Sequence, residues 1–587
     1  MGSFRMKRSI VTGLGPQMLP SKFAHQERMT TRPGVGRYKA SKYDIWALGI
    51  TIVIGGQYFS WNAGLAAGVW STLVSIVVTG TSYVCLVLCL AETVSGLPFS
   101  GGAFGLSRCS LGFYGGYVVG CCECLQYIVY TASSVLVLGN MILELMDPLP
   151  HLVWFARPLA WLSIYGVALG LQNWGQRCFW RCNVVLAFLS LGILLVYILG
   201  SLPHVSYEKY GGGPTHYFKG GMQAFMENLP LSAWFFVGIE ALNAVANMVD
   251  APKTIIPSGQ TACVLTLAAT AVGVYFVAIC MPPGVEATEV DLVVIRGGIM
   301  ASFGAGPYVA TALSLPATFA TIYGFIFLYS TVLASMAASK LMPTRLGYQH
   351  PVHKTHPVAA LAGSTVGFVL CIVGQYWTTL HLFNICMVFG FSANLAQLWN
   401  YVYMRRNFNH LTRSFQSPVG LAGAAFSMAV SGLQLVALLV FQPFDGITPS
   451  VVAVTLLVLT CVYVYSVRDS QTISRDEHRV LFFAHISKSN YTKREITKRR
   501  TSLETSAKRN SAPADSKEST TTRGPPSIMS MQTSDSLLIN FTRRDLMHSW
   551  KKIAPTPDSP LQYGQPSSPT TDDVVDAVPS TSPTKHS

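Results

Sequence analysis

The sequence predicts an all-α polytopic membrane protein of twelve transmembrane helices, and three observations carry that prediction. Half of the 587 residues are apolar and only 12% are charged, where soluble domains carry about a quarter. The net charge of +14 sits in the flanks: residues 1–44 contribute +7, residues 468–587 contribute +5, and the 423 residues between them only +2. That middle block divides into twelve apolar runs, each near the roughly 20 residues a helix needs to cross the hydrocarbon layer. A nearly neutral apolar block between basic tails argues against a soluble globule and against a nucleic-acid partner, because the surplus charge lies outside the body.

Taken in chain order, the tail 1–43 is basic and has no apolar stretch before a small-residue cleavage site, so no cleavable signal peptide is expected and insertion rests on the first span. The spans of the body, 44–467, fall at 44–67, 71–94, 111–145, 152–171, 183–201, 223–249, 259–281, 306–338, 357–375, 379–403, 418–441 and 447–467. An even number of spans puts both tails on one side. With the N-terminus inside, the inner loops hold ten Lys and Arg, among them Arg108, Arg345 and Arg413, against Arg157, Lys209, Lys219 and Arg296 outside. That asymmetry predicts cytoplasmic termini, and the plasma membrane is the expected location. Thirteen cysteines lie between Cys85 and Cys461, mostly inside apolar runs. Cys121, Cys122 and Cys124 lack nearby His and read as packing residues rather than a metal site.

From Arg468 the chain turns to Ser, Thr, Pro, Lys and Arg with no sustained period, the composition of a disordered tail. Its basic run Lys493, Arg494, Lys498, Arg499 and Arg500 is either a solvated linker or a contact for anionic membrane lipid, each cation then worth about 1 kcal/mol. Ser502 and Ser511 follow basic residues, and Ser559, Ser568 and Ser582 precede proline, which makes kinases candidate partners. The sequons at Asn490 and Asn540 fall in this tail, where no glycan is expected.

Two spans are interrupted in corresponding places. The first carries Ile54-Gly55-Gly56-Gln57-Tyr58 and the sixth Phe236-Val237-Gly238-Ile239-Glu240, each near mid-membrane depth. Broken backbone is tolerated there only inside protein or along a cavity. Paired breaks at the start of two five-helix halves point to a transporter with inverted repeats and a binding site at the midplane. Glycine also serves plain packing: Gly112, Gly116 and Gly120, four apart in the third span, read as a close-contact stripe.

The segment from Ile54 to Leu65 (IGGQYFSWNAGL) resembles the first-helix signature of ethanolamine-permease-like members of the amino acid, polyamine and organocation (APC) superfamily. Leu97-Pro-Phe-Ser-Gly-Gly-Ala-Phe104 is similar to that superfamily's Pro-x-x-Gly-Gly-x-Phe loop. Trp234-Phe-Phe-Val-Gly-Ile-Glu240, followed by the segment from Asp250 to Gly259, resembles its sixth helix and the loop after it. The resemblance covers roughly residues 40–467. It implies a LeuT-like fold of five plus five inverted repeats with two further helices, and alternating access around the two broken helices. It further implies a secondary active transporter, of symporter type, for amino acids or a small amine such as ethanolamine. The first break departs from the usual Gly-Ser-Gly pattern, which leaves substrate identity open.

Each position then has an expected chemistry. A half-helix starting near Gly56 presents N–H groups and a positive dipole end to a carboxylate or hydroxyl, with Gly55 and Gln57 beside it. Carbonyls freed around Phe236, Val237 and Gly238 can accept from an ammonium. Tyr58, Trp61, Trp234 and Phe235 can wall a small organic cation, at about 0.5–2 kcal/mol per contact, with packing against lipid or the core as the alternative for each. An ionised carboxylate at mid-bilayer costs on the order of 3 kcal/mol or more, so Glu240, at the sixth break, is the foremost candidate for pairing with an amine or holding a coupled proton. Glu123 is a second coupling candidate, with simple hydrogen bonding to Gln126 or Tyr127 as its alternative, and Glu92 is expected at a helix end. A sodium site would instead draw on eighth-span hydroxyls, Ser330, Thr331 and Ser335; proton coupling is favoured. No catalytic constellation, metal site or cofactor motif stands out: there is no nucleophile elbow or phosphate loop, and prolines interrupt the spacing of His350, His353 and His356. The competing class is a transport-deficient nutrient sensor that signals through the tail.

Overall fold

The structure, a computed structural model, describes residues 38–376, 381–409, 411–442, 446–474, 477, 478, 497 and 501. The N-terminal basic residues before Tyr38, the run from Lys493 to Arg500, the five candidate kinase serines and both sequons lie outside the described residues. Among the described residues the chain is helical, with no β-strand beyond a lone bridge between Ala40 and Val249.

The first helix, α1 (Lys42–Val53), opens on Ser41, whose hydroxyl and backbone exchange hydrogen bonds with Asp44 in a capping box. It is followed by α2 (Gly55–Tyr58) and a 3-10 turn over Trp61–Ala67. Ten further α-helices form most of the body: α3 (Val69–Gly96), α4 (Phe104–Ser110), α5 (Gly112–Met146), α6 (Val153–Asn173), α7 (Gln176–Ser201), α8 (Gly221–Asn228), α9 (Pro252–Ile279), α10 (Arg296–Phe303), α11 (Pro307–Ala338) and α12 (Pro357–Tyr376). They are completed by α13 (Leu382–Asn407), α14 (Gly420–Val440) and α15 (Ile447–Val462). Proline opens α9, α11 and α12, where its missing N–H would have had no helical partner.

Eleven helical stretches among the described residues are long and apolar enough to span a membrane, from Val69–Gly96 to Ile447–Val467. The run 44–67 is not among them, because its interruption leaves no single helix of sufficient length. The sixth run, Gly221–Met248, qualifies by composition yet is built of α8 and two 3-10 stretches, Leu229–Phe235 and Ile239–Met248.

Close packing uses the glycine stripe in part. A side chain at Gly116 would overlap Arg108, and one at Gly120 would meet Phe104 and Met336 at 2.9 Å. Gly112 has open space around it; its role is the positive φ of +82° that lets α5 start from the preceding turn. Cys121, Cys122 and Cys124 are buried in the apolar core.

Two regions tie the ends of the body. At one, the segment after α9 closes over the first break: Val294 N–H donates to the Tyr58 carbonyl (3.1 Å), the Asn62 amide to the carbonyls of Thr288 and Asp291, and Arg296 pairs with Glu144 (2.8 Å) and Asp291 (3.5 Å). At the other, buried Glu92 meets Arg413 and Arg405 and accepts from the Tyr401 hydroxyl and Ser417 N–H. Beyond 467, Gln471, Thr472 and Glu477 bond to Arg108 and Ser339 of the body, and Ser474 N–H to Glu477. That segment has little apolar surface, so hydrogen bonds and an ion pair hold it rather than a hydrophobic pattern.

Candidate substrate site

The two interrupted runs meet at their breaks. Helical dihedrals continue through Ile54, whose N–H bonds to the Ile50 carbonyl, and through Gly55–Tyr58. The chain then becomes extended at Phe59 (φ −149°, ψ 159°) and left-handed at Ser60 (φ 69°). The break therefore lies after the double glycine, and the second half begins at Trp61 rather than near Gly56. The glycines serve close approach: a Cβ on Gly55 would overlap the Thr321 hydroxyl, which accepts the Gly55 N–H at 3.1 Å, and a Cβ on Gly56 would overlap the Trp234 carbonyl oxygen.

In the sixth run the helix is interrupted at Gly238, between the two 3-10 stretches, and its φ of +104° favours glycine. Burial is complete or nearly so from Ala233 to Val245, apart from Asn243. The carbonyls of Phe236 and Gly238 accept from Ile239 and Ala241 N–H at 3.4 and 3.1 Å, so they are partly used within the break itself. Glu240, 2% exposed, accepts from Gly238 N–H at 2.9 Å and from the Gln126 side-chain amide at 2.6 Å. One carboxylate thus caps the break and joins it to α5.

The expected aromatic wall divides into separate contacts. Tyr58 sends its hydroxyl to the Ser190 carbonyl of α7. Trp61 donates to the Gln57 carbonyl and packs on Phe235 with ring centres 4.9 Å apart. Phe236 stacks on Tyr83, and the Gln57 amide reaches the Leu267 carbonyl of α9. Trp234 lies nearly parallel to Phe383 at 4.2 Å, with Phe59 and Tyr130 against it at 5.3 and 5.0 Å. Val237 is fully buried. Of the proposed wall, Trp234 lies against Phe59 and Gly56 of the first break, and Trp61 and Phe235 meet across the two breaks, whereas Tyr58 turns away to α7.

Glu123 accepts from Ala103 N–H (2.8 Å) and the Tyr127 hydroxyl (3.0 Å). Of its two expected partners Tyr127 is the actual one, since Gln126 turns to Glu240. The double-glycine loop is shaped by this contact: side chains at Gly102 and Gly101 would overlap the Glu123 carboxylate and Ser335, and both residues have φ near +100°. Ser335 donates to the Ser100 carbonyl and so anchors the same loop. Ser330 donates to its own helix at Phe327 and, with Thr331, lines a small pocket with Gln172 and Lys354. Neither Ser330 nor Ser335 reaches the first break; Thr321 is the α11 hydroxyl that does, bridging Gly55 N–H and the Thr51 carbonyl.

A cavity of about 50 Å³ has Glu123, Glu240, Asn243, Gln397, Asn400 and Glu477 among its lining residues. Among the described residues no Lys or Arg lines it, and it has room for a few waters. In and near the two breaks several polar atoms are buried without a partner: Gln126 Oε1, Asn243 Oδ1, the Tyr130 hydroxyl, Trp234 Nε1 and Gln57 Oε1, of which Asn243 belongs to a cavity-lining residue. Buried polar groups are ordinarily satisfied, so an unsatisfied cluster around paired backbone breaks is what a polar ligand would complete. The sequence alone does not mark Tyr130 or Thr321, and it offers Gln126 only as a partner for Glu123, not for Glu240. They lie in unbroken helices, where a hydroxyl or amide carries no local signal.

A family model described as amino acid permease matches residues 44–487. An uncharacterized transporter of Rhizobium meliloti is 25% identical over 53% of this chain and 67% of its own. An S-adenosylmethionine permease of Candida albicans is 22% identical over 64% of each chain, and a lysine-specific permease of Lactococcus lactis is 25% identical over 39% of this chain and 47% of its own. The chain thus spans about two thirds or less of these relatives. These are transporters, not enzymes. Many membrane-length apolar helices, two interrupted runs joined at their breaks and a match across most of the body place the chain in the amino acid permease family of the APC superfamily.

Proposed function

We propose that this integral membrane protein is a secondary active transporter for amino acids or small organic amines that carry a positive group, moving them by alternating access around the two breaks. The observation that carries this reading is the acid-lined cavity at the sixth break: Glu240 and Glu123 face it and, among the described residues, no cationic side chain does. Such a site favours an ammonium or sulfonium over an anion, since a buried carboxylate needs a counter-charge or a proton. The lysine-specific and S-adenosylmethionine permeases among the relatives are named for positively charged substrates. Ethanolamine stays within this class.

Proton coupling fits the same geometry, because Glu123 and Glu240 share one small cavity, which Glu477 also lines, and Glu123 or Glu240 can exchange a proton as substrate enters. Sodium coupling has less support, since Ser330 and Ser335 bond elsewhere. Counting the broken first run as a span supports twelve spans, the paired breaks support an inverted repeat, and the charge asymmetry supports cytoplasmic termini; the plasma membrane is the proposed location. Tracer uptake into proteoliposomes tests the reading, with lysine, ethanolamine, S-adenosylmethionine and neutral amino acids, each with a protonophore and again without sodium. Accumulation abolished by the protonophore is expected. Binding without accumulation or counterflow would instead identify a sensor.

A further inference from the structure

The chain leaves α15 through a π turn at Tyr463–Val467 and then folds back beneath the helices. Thr472 N–H donates to the Ser339 carbonyl at the end of α11 (3.0 Å). Arg108, in α4, donates to the Thr472 carbonyl at 3.1 Å and to the Gln471 side chain at 3.4 Å. The segment ends in Glu477, 1% exposed, which pairs with Arg108 at 2.8 Å and accepts from the Ser339 hydroxyl (2.5 Å) and Ser474 N–H (2.9 Å). Glu477 lines the same cavity as Glu123 and Glu240.

This arrangement is unusual for a structural brace. The segment gains little from apolar burial, so its seat depends on one buried ion pair and a few hydrogen bonds. Desolvation offsets much of the attraction in such a pair, which makes it a better register or switch than a source of stability. The contact also sits where it matters: Arg108 belongs to the short helix that follows the double-glycine loop, and that loop is bonded to Glu123 through Ala103.

We propose that Gln471, Thr472, Ser474 and Glu477 form a self-inhibitory strap. Seated on Arg108 and Ser339, Glu477 walls the acid-lined cavity off from the side of the membrane that carries the tails, and turnover requires its release. The proposal rests on the reading of that cavity as part of the transport path.

The test uses the full chain carrying Gln397→Cys on the cavity wall, solubilised in detergent and labelled with a bulky maleimide. Position-specific labelling is read by mass spectrometry and compared with the same chain lacking that substitution. Adding Glu477→Ala is expected to accelerate labelling at position 397 about tenfold or more, and to raise the initial uptake rate in proteoliposomes. Glu477→Gln, which keeps the shape and removes the charge, should act in the same direction. The double exchange Arg108→Glu with Glu477→Arg should restore slow labelling if it folds. Unchanged labelling in both Glu477 variants overturns the strap. Faster labelling with unchanged uptake of a transported substrate overturns its inhibitory role. Faster labelling in a protein that transports nothing, strap intact or not, supports the strap and refutes the substrate-site reading instead.

Discussion

Gly56 and Trp234 touch backbone to backbone: the space a methyl group would take on Gly56 is occupied by the Trp234 carbonyl oxygen. The two interrupted runs are therefore locked at one contact that only glycine permits. Gly56→Val should abolish uptake while leaving expression intact. Gly64→Ala, where a Cβ meets nothing nearer than 3.6 Å, is the matched control and should transport normally. Uptake against surface amount in the two variants checks this, and normal transport by Gly56→Val would remove the breaks from the mechanism.

Glu240 has two duties that can be separated. Its bonds to Gly238 N–H and the Gln126 amide hold the break, and its charge is available to a cation. Glu240→Gln keeps most of the shape. It should weaken cationic substrates by about ten- to a hundredfold, the scale of a charged hydrogen bond, with a smaller effect on neutral ones. Competition by the two substrate classes, measured on one preparation, distinguishes charge pairing from a purely structural cap.

The Tyr130 hydroxyl is buried without a partner and lies 3.2 Å from where a Cβ on Gly56 would sit. Removing an unpaired hydroxyl should cost no hydrogen bond in the empty protein. Tyr130→Phe is therefore expected to leave the melting temperature unchanged and to raise KM a few-fold if the substrate supplies the missing partner. Thermal unfolding and uptake kinetics on the same sample decide it; a lower melting temperature with unchanged KM would make the residue structural.

Half-buried Cys109, in the short helix beside the strap, has its thiol pushed up to about 12 by burial, with Glu477 adding in the same direction and Arg108 opposing. A raised thiol value leaves less thiolate at any working pH, and the thiolate is the nucleophile. Cys109 should thus alkylate far more slowly at pH 8 than a free thiol, and its rate should keep rising tenfold per pH unit well above pH 9. Mass-spectrometric alkylation rates across that range check the slope.

The strong local signals in the sequence were those set within a few residues of one another. Apolar runs of membrane length, the interruption at the single Gly238 and the isolated carboxylates Glu123 and Glu240 all follow from composition and depth alone. The first break was legible only approximately, since Gly55 and Gly56 are required by contacts with Thr321 and Trp234 and the chain actually bends at Phe59 and Ser60. The aromatic wall failed as a unit because ring orientation depends on which helix lies opposite, and Tyr58 faces α7.

By itself, then, the sequence determined that the chain is a helical membrane protein with two interrupted spans and buried acids, because backbone hydrogen bonding and hydrophobic burial act along the chain. Tertiary structure alone decided that Gln126, and not a cation, meets Glu240; that Glu123 holds the double-glycine loop; and that Glu477 returns to Arg108 from 369 residues away. Those pairings depend on how helices stack, and a charge or amide inside a regular helix carries no mark of the partner it will find.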